Sequence, residues 1–146
     1  MINNELTLKV KAVTENESFV RLAVASFCAL NNPSVEDLGD IKTAISEAFT
    51  NCCVHAYPNK KGDVEIYIRL NPDEIYITVT DFGIGIENVE LAKQPFYTSK
   101  PNSERSGMGF TVMEGFMDSL DVKSLPNQGV KVTMIKKKDY CVAVGG

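Results

Sequence analysis

Three short motifs, in a fixed order, limit the folds open to this chain more than any bulk property does. Glu47-Ala-Phe-Thr-Asn51 lies in a helical pattern. Asp81-Phe-Gly83-Ile-Gly85 closes a run of alternating apolar residues, and Arg105-Ser-Gly107-Met-Gly109 precedes a second helical pattern. Each is weak alone. Together they need an acid and an amide one helical turn apart, a carboxylate before a glycine hinge, and a glycine pair at a helix start. Helix and strand ends must therefore meet around one cleft.

The surrounding periodicity supplies the elements. Leu6, Leu8 and Val10 alternate with Thr7, Lys9 and Lys11 as in a half-buried strand. Thr14-Glu-Asn-Glu17 has the capping-box pattern and opens a helix to about Leu30. Phe19, Leu22, Ala23, Ala25, Phe27 and Leu30 give that helix more apolar surface than one face needs, so the sheet or a second subunit must cover it. Asn31-Asn-Pro33 ends it. Ser34 caps a second helix, which runs to about Tyr57. Val64 to Leu70 and Ile75 to Thr80 flank Asn71-Pro-Asp73 as a hairpin. A short helix near Val89 to Ala92, a helix from Gly109 to about Met117, and a last hairpin of Val122–Leu125 and Val130–Ile135 complete the order β-α-α-β-β-α-α-β-β. That order predicts an α/β two-layer sandwich, its mixed, mostly antiparallel sheet carrying helices on one face.

The chain has 146 residues, a length that suits one domain spanning 1–146. A formal charge of -4 argues against direct nucleic-acid binding, which needs a basic face. Lys136-Lys137-Lys138 reads as a solvated strand end. The apolar run Leu22 to Leu30 is too short to span a bilayer, and the N-terminus has no secretory pattern, so no membrane role and a cytoplasmic location are expected. Cys28, Cys52, Cys53 and Cys141 lack C-x-x-C spacing and read as reduced thiols rather than a metal or disulfide set.

The motifs fit magnesium-ATP held without a Walker loop. Glu47 and Asn51, four apart, project from one side of their helix. An amide oxygen suits Mg²⁺, and a carboxylate one turn away can accept a proton from an attacking hydroxyl or water. Asp81 before Gly83 and Gly85 can accept the exocyclic amine of adenine, which guanine replaces with a carbonyl. Ser106, Gly107, Met108 and Gly109 open a helix whose free N–H groups suit a phosphate, with Lys100 and Arg105 as nearby cations. Gln94 to Pro101 reads as a lid. A protein-kinase reading fails because nothing accompanies Asp-Phe-Gly, and a Rossmann reading lacks its third glycine.

These motifs resemble the GHKL superfamily of ATPases and kinases, with Glu47–Asn51 as its N-box, Asp81–Gly85 as its G1 box and Gly107–Gly109 as its G2 box. A closer similarity is to the bacterial sporulation anti-sigma-F factors, serine-protein kinases of that superfamily. It is carried by Asn16-Glu-Ser-Phe19, Ile41-Lys-Thr43, Ser46-Glu-Ala48, Gln94-Pro95, Thr98, Lys100-Pro101, Glu104 to Thr111, Met113-Glu114 and Phe116-Met-Asp118. The resemblance implies a Bergerat-type ATP-binding fold, ATP or ADP with Mg²⁺, and a homodimer. Its partners would be a sporulation sigma factor, which it inhibits, and an anti-anti-sigma protein, which it phosphorylates on serine. It also implies Glu47 as base, Asn51 as magnesium ligand, Asp81 as adenine contact, Gly83, Gly85, Gly107 and Gly109 as pocket walls, Arg105 near the γ-phosphate, and Arg21 as a partner-binding residue. One departure is that Gly129 is followed by Val130 where the superfamily has threonine, with Thr133 nearby. A nucleotide-gated binding module with negligible phosphotransfer and a stress-response anti-sigma kinase stay open. A detached histidine-kinase domain fits less well, since His55, the sole histidine, ends the N-box helix.

Overall fold

The computed structural model describes residues 3–58, 61–86, 109–124 and 127–138. In chain order these form β1 (Asn4–Lys11), α1 (Glu17–Cys28), α2 (Val35–Asn51), a π-helical turn (Cys52–Ala56), β2 (Asp63–Leu70), β3 (Glu74–Asp81), α3 (Gly109–Phe116), β4 (Ser119–Ser124) and β5 (Val130–Lys137). The five strands lie in the order β1-β2-β3-β5-β4. Every pairing is antiparallel, so the mostly antiparallel sheet expected from the hairpins has no parallel pair among the described residues. The expected helix at 89–92 and the lid at 94–101 lie outside the described residues.

The central hairpin follows from its alternation. Val64, Ile66, Ile68 and Leu70 face Ile75, Ile77 and Val79 in register, and all are 3% exposed or less. A one-residue slip would turn this whole set to solvent, which fixes the register. Asn71 makes the turn: its Oδ1 accepts from Asp73 N–H (2.8 Å) and Glu74 N–H (2.9 Å).

The helices cover the inward face. α2 lies between α1 and α3, burying Ile41, Ala44, Ile45, Ala48 and Phe49. Full burial of a side chain as large as Phe49 contributes about 1.5–3 kcal/mol. Ser34 caps α2 as expected, its hydroxyl accepting from Asp37 N–H (3.0 Å), with Glu36 and Asp37 favouring the positive helix end. α1 buries Val20, Val24, Ala25 and Cys28, while Phe19 and Leu22 stay more than half exposed at 55% and 59%.

Two sequence expectations need correction. The capping box does not form: the chain enters α1 through a 3-10 turn (Thr14–Asn16), and Thr14 donates to the Glu15 carboxylate instead. Glu17 is drawn away because its carboxylate serves Arg21 and Ser46. Lys136 is not a solvated strand end. Its side chain is only 12% exposed, pairs with Asp40 (3.0 Å) and Asp37 (3.7 Å), and donates to the Phe116 carbonyl (2.6 Å). That lysine joins α2, α3 and β5.

Candidate functional site

The last α-helical turn of α2 carries Glu47 and Asn51, both half-buried, beside the buried Ala48, Phe49 and Cys52. The sequence reading continues this helix as α to about Tyr57. Instead the chain widens into the π turn Cys52–Ala56, a local adjustment frequent at functional sites. The π turn is packed against the loop after β3. Ile84 N–H donates to the Ala56 carbonyl (3.0 Å), and a Cβ on Gly83 would overlap that same oxygen. Only glycine fits there.

Asp81 is the last residue of β3 and is 4% exposed. Its Oδ1 accepts from Gly83 N–H (3.0 Å) and Val130 N–H (3.2 Å), and the Cys52 thiol lies against the carboxylate. Burial raises the Asp81 pKa above the usual carboxylate value, and these donors pull it back. Burial in turn pushes the Cys52 thiol well up, with the Asp81 charge adding to the effect. Cys52 follows Asn51, so the thiol contact brings Asn51 and Asp81 to one corner of the fold. Buried and neutral, the thiol is unreactive.

The loop beyond Asp81 is held from its other side by the β4–β5 turn. Asn127 N–H donates to the Ile84 carbonyl (2.6 Å), Ile86 N–H to Ser124 Oγ (2.6 Å), and Ser124 Oγ to the Gly129 carbonyl (3.0 Å). Gly85 (φ 78°) and Gly129 (φ 89°) take left-handed backbone, and a Cβ on Gly129 would overlap the Asp81 carbonyl. Val130 sits directly opposite Asp81 on the same sheet face. Thr133 pairs with Thr78, three residues along, and so lies on the opposite face. It cannot stand in for a threonine at 130.

Arg21 projects from α1 with 37% of its side chain exposed and pairs with Glu17 (2.8 Å). Glu17 Oε1 also accepts from Ser46 Oγ (2.7 Å), and Ser46 precedes Glu47. The residue expected to bind partners thus sits one carboxylate away from the helix carrying the expected base. Gly109 begins α3, as expected, and α3 packs on α2. Lys100, Arg105, Ser106, Gly107 and Met108 lie outside the described residues. Sequence reasoning missed Tyr57, Ser124 and Asn127, none of which carries recognisable chemistry by spacing. The one signal was Tyr57-Pro58 at a helix end. Among the described residues no cluster of three or more His, Cys, Asp or Glu could hold a metal, and no helix is long and apolar enough to cross a membrane.

The histidine kinase-like ATPase domain family matches residues 10–136. Anti-sigma F factors are similar over nearly their whole length. The protein of Clostridium acetobutylicum is 51% identical over 94% of this chain and 96% of its own, and that of Clostridium perfringens 53% identical over 93% and 98%. Among solved structures, the RsbU and RsbW domains of a Mycobacterium tuberculosis protein superpose with a TM-score of 0.66 at 17% identity, over 92% of this chain and 32% of that one. The mycobacterial sensor histidine kinase MprB gives 0.58, also at 17%, over 91% and 98%; at such identities the likeness is one of fold. With the histidine kinase-like match spanning most of the chain and relatives of this closeness, the chain belongs to the anti-sigma F factor family.

Proposed function

We propose that this protein captures a sporulation sigma factor and, using ATP, phosphorylates an anti-anti-sigma protein on serine. The observation that carries the nucleotide part is the junction of Cys52 and Asp81. It places a buried, donor-braced carboxylate beside the helix end bearing Asn51 and Glu47. The names of the relatives support the sigma-binding part.

In this reading Asp81 accepts the adenine amine, and Gly83 and Gly85 let the backbone approach the base. Gly107, Gly109, Ser106, Met108, Lys100 and Arg105 hold the phosphates. Asn51 offers a hard amide oxygen at the helix rim, which fits Mg²⁺; when bound, the ion neutralises phosphate charge. Glu47 accepts the proton of the substrate serine as its oxygen bonds the γ-phosphorus. The bond from that phosphorus to the bridging oxygen breaks, and ADP leaves. Arg21 is exposed enough to meet a partner. Phe19, Leu22 and Leu30, exposed on α1 and the turn after it, support a homodimer.

Incubation with γ-labelled ATP and a purified anti-anti-sigma protein tests this reading. Label on a serine of the partner is expected. Tight sigma capture with no label would leave a nucleotide-gated binding module instead.

A further inference from the structure

Tyr57 follows the π turn and reaches back across the site. Its hydroxyl donates to the Asp63 carbonyl at the start of β2 (2.7 Å) and accepts from Phe82 N–H (2.7 Å), the amide directly after Asp81. Its ring lies against Gly62, where any Cβ would overlap it. One phenol therefore ties the helix end, the first residue of β2 and the turn after β3.

We propose that Tyr57 is a positioning residue for the nucleotide base: by holding the Asp81–Phe82 peptide it aims the Asp81 carboxylate and sets selectivity for adenine over guanine. The inference rests on the reading of Asp81 as the base contact. The sheet cannot do this work, because the pairings of β3 with β2 and with β5 both stop at Asp81. Phe82 lies beyond the ladder and is 56% exposed, and the phenol holds its N–H. Released, the Phe82 peptide can rotate about the Asp81 ψ angle and draw away the Gly83 N–H that braces Asp81 Oδ1 at 3.0 Å, leaving the carboxylate free to turn about its own side-chain bonds. An acceptor aimed at the exocyclic amine discriminates only while its direction is fixed, since guanine presents a carbonyl at that position. Burial raises the Tyr57 pKa, so the phenol keeps the proton it donates to Asp63.

The test is calorimetric titration of ATP and of GTP into the full chain, in the wild type and in four variants. Tyr57→Phe and Tyr57→Met are expected to weaken ATP roughly five- to tenfold, the worth of one hydrogen bond, and GTP by no more than about twofold, so that the ATP:GTP preference falls. Asp63→Asn keeps the backbone acceptor and is expected to leave the preference unchanged. Equal weakening of both nucleotides, or none, in both Tyr57 variants would overturn the proposal and leave a structural phenol. Asp81→Asn distinguishes failure of the underlying reading: undiminished ATP binding there would remove Asp81 as the base contact and the proposal with it.

Discussion

Ser46 on α2 donates a 2.7 Å hydrogen bond to Glu17 on α1, using the same Oε1 that accepts from Arg21. A partner that draws Arg21 away therefore changes the load on an oxygen that also holds the residue before Glu47. Arg21→Ala is expected to weaken capture of sigma factor and anti-anti-sigma protein with ATP affinity near normal. The Arg21–Glu17 pair is more than a third exposed on the arginine side and spaced i,i+4, so its loss costs only about 0.3–0.5 kcal/mol and unfolding cannot mimic the effect. Pull-down and calorimetry on the same preparation check both halves. Undiminished capture would remove Arg21 from the surface.

Glu47→Gln keeps the side-chain shape and removes the proton acceptor proposed for the substrate serine. Phosphotransfer to the anti-anti-sigma serine is expected to fall roughly 10²–10⁴-fold while ATP still binds. A wild-type rate in single-turnover assays would place the base elsewhere.

The glycines divide into two classes by what surrounds them. Gly83→Ala would drive a methyl into the Ala56 carbonyl, and Gly129→Ala would add left-handed strain to an overlap with the Asp81 carbonyl. Each is expected to cost more than about 1 kcal/mol and to impair ATP binding. Gly39 and Gly115 lie within helices, and a methyl added at either would meet nothing within 4 Å, so Gly39→Ala and Gly115→Ala are expected to stabilise by about 0.5–1 kcal/mol each. Urea unfolding of the four variants gives the comparison, and a stabilised Gly83→Ala would refute the packing described around the π turn.

Cys28 is fully buried, and burial pushes its thiol from 9.0 to about 12. Between those values the folded chain holds a proton that the unfolded chain has lost. Stability is therefore full below about pH 9 and falls as pH rises toward 12. Cys28→Ala leaves a cavity but removes this slope, so its stability deficit against wild type is expected to shrink between about pH 8 and about pH 11. A deficit independent of pH, measured by urea unfolding, would show that Cys28 does not contribute to the alkaline limb.

The hairpin of β2 and β3 was legible because its alternation is strict and both strands are central. β4 was expected from Val122 and begins at Ser119, since an edge strand with half-buried Leu120 and Val122 carries a weaker pattern. Of the candidate site, the spacing showed that Glu47 and Asn51 share one helix and that Asp81 ends a strand before Gly83 and Gly85. The π turn was not legible, because its register answers to Gly83 and Ile84, remote in sequence, rather than to its own residues. The capping box misled for a related reason: Ser46, remote in sequence, competes for Glu17. Lys136 looked like one of three surface lysines because the acids that bury it come from α2, with Asp40 96 residues earlier in the chain.

The ladder between β3 and β5 runs unbroken from Glu74↔Lys137 to Asp81↔Val130, with Ile77↔Met134 and Val79↔Val132 turned into the core. Its register is fixed from within, independently of the length of chain that separates the two strands. Doubling a loop costs only about 0.6 kcal/mol in closure entropy, whereas a single-residue indel in either strand would turn its core residues outward. A change of length in the segment 87–108, which holds most of the expected phosphate contacts, therefore costs the ladder little, while β3 and β5 accept substitution but not insertion. In such a fold, length is tolerated between the strands and not within them.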